Sequence, residues 1–417
     1  MPSQTEQGLL LIAVNVLMLL LILGLLRLNA RFSKFSLFDT ANAFTLFWIC
    51  LILGAQFSFS GSLTAMTLVL LYVIPILFNL IQLLIRLLVI NQAHTNIQNG
   101  EHFNLSRISN ITTLLFILCL IANLSYIYTQ YYQKGIAVVA LEQIRSSNFR
   151  NDTEEPNFFY NLFGRIYLLL IPWFYYLYSQ KYIPLSRLVL LVSISILLSG
   201  IHLTRAPILI VGITILLCNS YFLKETLAKK ANAALVILTL LLFTSLTLII
   251  DAGSVESNPF IDTAKLYLFG GIAAFQKLVQ GFQIKDALFP NHLYSLDFVY
   301  YIEKKLGFLQ QYPSYIRPYV DFGGKSTNVY TFLDSFYIDW GLLGVLLGSS
   351  VLFAVISLVS QLAKSTGKML FFQLHLLCFS NLMMCFMNNE FIRISFYIMV
   401  CEAFACYYLF TKQPATF

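Results

Sequence analysis

Residues 326–348 read STNVYTFLDSFYIDWGLLGVLLG, and within them the chain changes solvent. Up to Trp340 the stretch mixes polar, acidic and aromatic side chains; from Gly341 onward it is apolar. A bilayer entry near Gly341 makes residues 328–340 a helical lead-in at the membrane surface. At helical spacing Tyr330, Asp334, Tyr337 and Gly341 then share one face, with Asp339 a turn from the membrane on another. Gly341, Gly344 and Gly348 permit close approach of a neighbouring helix. A packing helix whose polar start favours the dipole accounts for the same pattern.

Working outward from this stretch, the whole chain follows its apolar half. Of 417 residues 58% are hydrophobic and 11% charged, against roughly 25% charged in soluble domains. A crossing needs about 20 predominantly apolar residues. The candidates are 8–28, 40–60, 63–88, 108–132, 158–180, 185–202, 203–222, 232–250, 328–359, 368–387 and 390–410. The expected fold is an all-α polytopic membrane protein with about eleven transmembrane helices. It divides into a first bundle over 1–250 with a short outer segment at 133–157, a large outer loop over 251–327, and a last bundle over 328–417.

The charge, formally +7, is distributed as a topology signal. Arg27, Arg31, Lys34, Arg86, Arg107, Lys181, Arg187, Lys224, Lys229, Lys230, Lys364, Lys368 and Lys412 fall in alternate connections, which the positive-inside rule assigns to the cytoplasm. The opposite short connections hold Arg205 and Arg393. This puts the N-terminus and 251–327 outside and the C-terminus inside, with no basic patch for nucleic acid. The seven cysteines all fall inside spans, where a thiol behaves as a small hydrophobe. Met1–Gln7 carries no basic residue, so the first span does not read as a signal peptide.

One long, wet, aromatic segment among short loops points to chemistry at one membrane face. Pure transport more often gives two similar halves. Within the segment, Ala264–Val279 (AKLYLFGGIAAFQKLV) is an apolar helical stretch, interrupted by Gly270 and Gly271 and short for a crossing, so it is expected at the interface or re-entrant. The run that follows holds Tyr294, Phe298, Tyr300, Tyr301, Tyr312, Tyr315, Tyr319 and Phe322. Such rings suit the apolar C–H face of a sugar; equally they would pack the segment and anchor it at the surface.

Charges at membrane depth are functional candidates by default. Arg205 sits in a tight turn within SGIHLTRAPIL, where a planar guanidinium could grip a lipid-linked diphosphate in bidentate fashion. Arg165 lies about two turns inside span 158–180 and is expected to face the bundle or a wet cavity. Arg317, in SYIRPYVDFGG, precedes a proline that favours extended backbone; an ion pair with Asp321 explains it equally well. The chain has no DxD, no HExxH and no paired-histidine site, so no metal or other cofactor is expected.

DWGLLG at the mouth of a span after a large outer loop, LTRAPIL upstream of that loop and LYLFGGIAAF opening it together resemble the Wzy-type O-antigen polymerases of the O-antigen polymerase–ligase superfamily. The resemblance covers topology along most of the chain and three short patches of sequence. It implies a GT-C-like glycosyltransferase of the bacterial inner membrane, metal-independent and working at the periplasmic face. The reaction would move a growing glycan from undecaprenyl diphosphate to the distal sugar of another undecaprenyl-diphosphate-linked repeat unit. Arg205, Arg317 and Arg165 would hold the diphosphate, Asn328, Tyr330, Tyr315 and Tyr319 the glycan, and Asp334, Asp339 or Asp321 the acceptor's proton. Membrane lipids, a chain-length regulator and a flippase of the same pathway would be its partners. Ligases of the superfamily place a histidine where this chain has Thr327 and Asn328. The alternatives are an O-antigen ligase and a flippase or transporter of lipid-linked oligosaccharide. Mostly clean spans, interrupted mainly by Arg165 and Glu402, favour the enzyme.

Overall fold

Backbone buried in hydrocarbon must satisfy its own N–H and C=O groups, which a single segment can do only as a helix, and among the described residues the long apolar runs are helical. The computed structural model describes residues 4–32, 39–58, 63–89, 103–128, 158–200, 205–251, 259–281, 293–309, 320–322, 325–327, 330–386 and 390–411. In chain order the helices are α1 (Gln4–Phe32), α2 (Thr40–Ser58), α3 (Ala65–Val89), α4 (Leu105–Ile127), α5 (Phe158–Phe163), α6 (Tyr167–Ser179), α7 (Leu185–Gly200), α8 (Arg205–Phe222), α9 (Glu225–Asp251) and α10 (Pro259–Val279). A 3₁₀ turn at Tyr294–Leu296 leads into α11 (Asp297–Lys305). Then come β1 (Val320–Phe322), β2 (Lys325–Thr327), α12 (Leu333–Thr366), α13 (Met369–Met383), a 3₁₀ turn at Glu390–Ile392, and α14 (Ile394–Thr411).

Six described helices are long and apolar enough to cross a membrane: α1, α2, α3, α4, α12 and α14. Shorter apolar stretches lie in α7, α8, α10 and α13. The architecture is that of a multi-pass helical membrane protein, with six helices of crossing length among the described residues where the sequence leads one to expect about eleven. Leu17, Leu20 and Leu23 of α1 are 66%, 63% and 60% exposed, a surface suited to acyl chains rather than water. The all-helical expectation needs one amendment. β1 and β2 pair antiparallel, Val320 opposite Thr327 and Phe322 opposite Lys325, within residues 251–327.

The chain divides into two units that interleave in sequence. Unit 1 holds residues 1–95, 261–366 and 381–394, and unit 2 holds 96–260, 367–380 and 395–417. In unit 1, α3 is the hub, packing on α1, α2 and α12. Pro75 lacks the N–H that would bond the Leu71 carbonyl one turn back; the Trp48 indole N–H takes that carbonyl instead, at 3.0 Å. Buried Asn79 joins three helices, accepting from Asn29 Nδ2 at 2.8 Å and donating to Thr45 Oγ1 at 2.7 Å, the polar glue expected where apolar surface alone gives little drive for association. Phe44, Trp48, Phe78, Phe332 and Phe353 fill the centre with stacked and edge-on rings.

At the inward-assigned end of unit 1, Asp39 precedes α2 and is 3% exposed. Its Oδ1 accepts from Gln82 Nε2 (3.0 Å) and Arg86 (2.6 Å) of α3 and from Lys364 Nζ (2.8 Å) of α12. Burial by itself raises the Asp39 pKa, but the charges of Lys364 and Arg86 outweigh it, and the net direction is down.

Unit 2 is built around α6 and α8, with α4, α7 and α9 packed on them and α5 packed on α4. Its core is aromatic: Trp173 meets Phe103 and Phe410 edge-on, and Tyr175 donates from its hydroxyl to Asn219 Oδ1. The span expected at 158–180 is two helices, separated by a turn at 164–166.

Candidate functional site

The polar structure expected at one membrane face collects at the outward-assigned end of unit 1, on the lead-in of α12. That lead-in is shorter than its sequence pattern implies. The helix begins at Leu333, and Trp340 (φ −139°, ψ 19°) and Gly341 (φ 59°, ψ −143°) interrupt it, so 333–339 is a separate two-turn piece. Gly341 occupies a conformation that essentially only glycine adopts. Beyond the break the chain folds back closely: a side chain at Gly344 would collide with the Phe336 carbonyl, and one at Gly348 with the Phe336 ring. Tyr330 lies before the helix and Gly341 in its break, so the single helical face expected to carry both is not formed.

Thr331 and Phe332 anchor the lead-in. Phe332 N–H donates to the Cys385 carbonyl at 2.8 Å. The Thr331 hydroxyl donates to Asp334 Oδ2 at 3.1 Å and accepts from Leu333 N–H at 3.3 Å. Thr331, Phe332, Leu333, Asp334 and Ser335 are all at 0% exposure, so Asp334 is enclosed by protein. Tyr330, 1% exposed, packs with Ala274, Leu278 and Val320, flanked by Tyr337 and Ile338. This cluster ties α10 and the hairpin to the lead-in.

Asp339 is half-buried and points its carboxylate at the backbone of the preceding turn. Oδ1 accepts from Tyr294 N–H at 2.8 Å and Oδ2 from Ser295 N–H at 2.7 Å. Two charge-assisted bonds from one carboxylate clip the 3₁₀ turn to the lead-in. Both carboxylate oxygens are taken up by backbone donors, so the geometry gives Asp339 a positioning role. From the clipped turn α11 runs with Leu306 and Phe308 exposed at its end (65% and 77%) and Lys305 over the Tyr301 ring at 5.6 Å. The Tyr300 hydroxyl accepts from Leu293 N–H at 3.2 Å.

The glycine pair in α10 does not interrupt it. The helix continues through Gly270 and Gly271, and a side chain at Gly271 would meet the Phe386 carbonyl; the residue is small because another backbone passes there. Gln276, a turn and a half on, accepts from Thr64 N–H at 3.0 Å and so caps the approach to α3.

Tyr330, Asp334 and Asp339 are therefore brought to one end of one unit. Asp321 is the middle residue of β1, opposite Ser326. Arg205 is the first residue of α8 in unit 2. The positions of Arg317, Tyr315, Tyr319 and Asn328 lie outside the described residues. Arg165, also in unit 2, is exposed on the turn between α5 and α6. Sequence reasoning passed over Thr331 and the N–H groups of Tyr294 and Ser295. The only signal for the first is a threonine three residues before an aspartate at a helix start; backbone donors leave none.

The chain matches no family model, no curated protein and no solved structure. Among the described residues no group of three or more His, Cys, Asp or Glu side chains is placed to share a metal ion.

Proposed function

We propose that this chain is a glycosyltransferase of the O-antigen polymerase kind, GT-C-like in architecture, acting at the periplasmic face of the bacterial inner membrane. It transfers a growing glycan from undecaprenyl diphosphate to the distal sugar of another lipid-linked repeat unit. The observation that carries this reading is the folded, aromatic, polar end of unit 1, clipped by Asp339 onto the mouth of α12. An otherwise apolar chain has built a rigid platform there, and preorganisation is what a transferase requires of its reacting face.

In the reaction an acceptor hydroxyl oxygen bonds to the anomeric carbon as that carbon's bond to the diphosphate oxygen breaks. The leaving diphosphate gains negative charge, which a guanidinium can stabilise electrostatically; Arg205, Arg317 and Arg165 are the candidates the sequence offers for that role. The acceptor's proton passes to a carboxylate, Asp334 or Asp321, with Asp339 holding the platform. The second reading, transport of lipid-linked sugar, is favoured by one observation: Glu402 is buried within the crossing-length helix α14.

Loss of one preorganised donor costs about 10²–10³ in rate. Arg205→Ala is expected to leave cells with lipid A core bearing a single repeat unit, because flipping and ligation continue. Arg205→Lys recovers little, since a compact ammonium cannot reproduce the guanidinium fork. Glycan of normal length distribution in Arg205→Ala, at matched protein level, rejects that residue's role. Loss of even the single capped unit on deletion of the whole protein points instead to a ligase or a transporter.

A further inference from the structure

The far end of α11 is locked by its own backbone. Leu306 N–H donates to the Ile302 carbonyl at 2.9 Å, Gly307 N–H to the Lys304 carbonyl at 3.1 Å and Phe308 N–H to the Glu303 carbonyl at 2.9 Å. Gly307, at φ 79°, takes the left-handed conformation this closure needs. The backbone of Phe308 is thereby fixed, and the turn sets the direction in which its ring leaves the chain. In such a closure the residue at this position commonly packs on the helix residue at the place of Ile302. Here both stay open, Phe308 at 77% and Ile302 at 41% exposure.

Leu306 stands one turn beyond Ile302 on the same face and is 65% exposed. Ile302, Leu306 and Phe308 make an apolar edge. Lys305, also exposed, borders it and lies over the Tyr301 ring at 5.6 Å. Lys304 falls on the opposite side of the helix and is half-buried. A rigid tip that keeps three large apolar side chains bare is unfavourable in water and suited to acyl chains.

The near end of α11 is fixed in depth. Asp339 accepts from Tyr294 and Ser295 N–H at 2.8 and 2.7 Å. The residue after Asp339, Trp340, is 50% exposed and opens the bare apolar surface of α12, which Leu343 (62%) and Leu347 (58%) continue. The 3₁₀ turn is therefore level with the point at which α12 exchanges polar surroundings for apolar ones. α11 starts two residues after Ser295 and has nine residues, a length of about 14 Å, so its tip stays close to that level.

We infer that α11 rests on the phospholipid surface beside the mouth of α12, with Ile302, Leu306 and Phe308 among the upper acyl chains and Lys305 at the phosphates. An apolar face with a cationic rim is how interfacial helices hold a membrane surface. The lysine stem lies along the apolar layer while its ammonium reaches the head groups. The edge also continues the exposed apolar surface that begins at Trp340, so lipid covers both. The inference stands without the transferase reading, because its test measures depth and not glycan.

Full-length protein carrying Cys50→Ala and Cys401→Ala, which remove the two exposed native thiols, would receive one nitroxide at a time through Ile302→Cys, Lys304→Cys, Leu306→Cys or Phe308→Cys. In nanodiscs of phosphatidylcholine and phosphatidylglycerol, electron paramagnetic resonance would read collisions with oxygen, which concentrates among acyl chains, and with a water-soluble nickel chelate. Oxygen is expected to dominate at 302, 306 and 308, with the label at 308 about 5–10 Å below the phosphates. The order is expected to reverse at 304. Nickel dominance at 306 and 308 places the tip in water and overturns the proposal. Few collisions with either reagent at those positions mean cover by protein, another segment or a second copy, and overturn it as well. Oxygen dominance at 304 too would sink the whole helix into the acyl region and overturn its place at the surface.

Discussion

Asp339 shows how one side chain can organise a loop. Its two oxygens accept adjacent backbone N–H groups at 2.8 and 2.7 Å, a geometry that an amide cannot copy, because the NH₂ of asparagine would face one of the two donors. Hydrogen bonds to a charged group contribute about 1.5–3 kcal/mol. Asp339→Asn is therefore expected to weaken the closed turn by about 2 kcal/mol and to speed hydrogen exchange of the Tyr294–Lys305 amides roughly thirtyfold. Unchanged protection in exchange mass spectrometry would remove the clip from the argument. Tyr330 carries the complementary lesson. Among aromatics that could stack on sugar its ring is 1% exposed, and in this conformation its faces meet Ala274, Leu278 and Val320. Packing, the alternative open for every ring of the segment, describes this one.

Between elements, the buried charges before α2 and near the ends of α3 and α12 form a three-way junction. Gln82, Arg86 and Lys364 share a single oxygen of Asp39. Truncating one partner of a buried pair typically costs about 3–5 kcal/mol, because the remaining charge is left underpaired. Lys364 is 35% exposed and remains, so Arg86→Ala is expected near the lower end, about 3 kcal/mol. The folded pKa of Asp39 lies below its ordinary value, so the unfolded chain takes the proton first as pH falls. The stabilisation is then complete above about pH 5 and is lost as pH drops through the folded value, below about pH 4. Thermal unfolding in detergent should show a gap between wild type and Arg86→Ala that is wide at neutral pH and narrows in acid. An equal gap at both would assign the effect to packing of the arginine stem. In α12 the decisive feature is the break at Trp340 and Gly341. It separates a surface piece carrying Asp334 and Asp339 from the crossing, and a run of helical spacing gave no sign of it.

At the scale of the whole molecule, sidedness is the property on which every functional statement turns. Lys305 is exposed at the end of α11, so Lys305→Cys should react with an impermeant thiol reagent in intact spheroplasts, with the native thiols as background; labelling only after lysis would reverse the orientation and the reacting face. Membrane class and the helical state of the long apolar runs were legible from the chain alone, whereas the count of crossings was not. Twenty-odd apolar residues admit one backbone solution in lipid, and lysine and arginine placement is a local count. The nearness of Asp334 and Asp339 was also legible, since both lie on one short helix. The sequence could not reveal that the chain sorts into two interleaved units. Nor could it show that Gly271 is small for a passing carbonyl or that Asp39 is shared by α3 and α12. Each of these depends on which helices touch, and the hydropathy of a helix does not name its neighbour. Partner choice is made by shape and by a few polar atoms that must find one another out of water, and those pairings exist only once the bundle has formed.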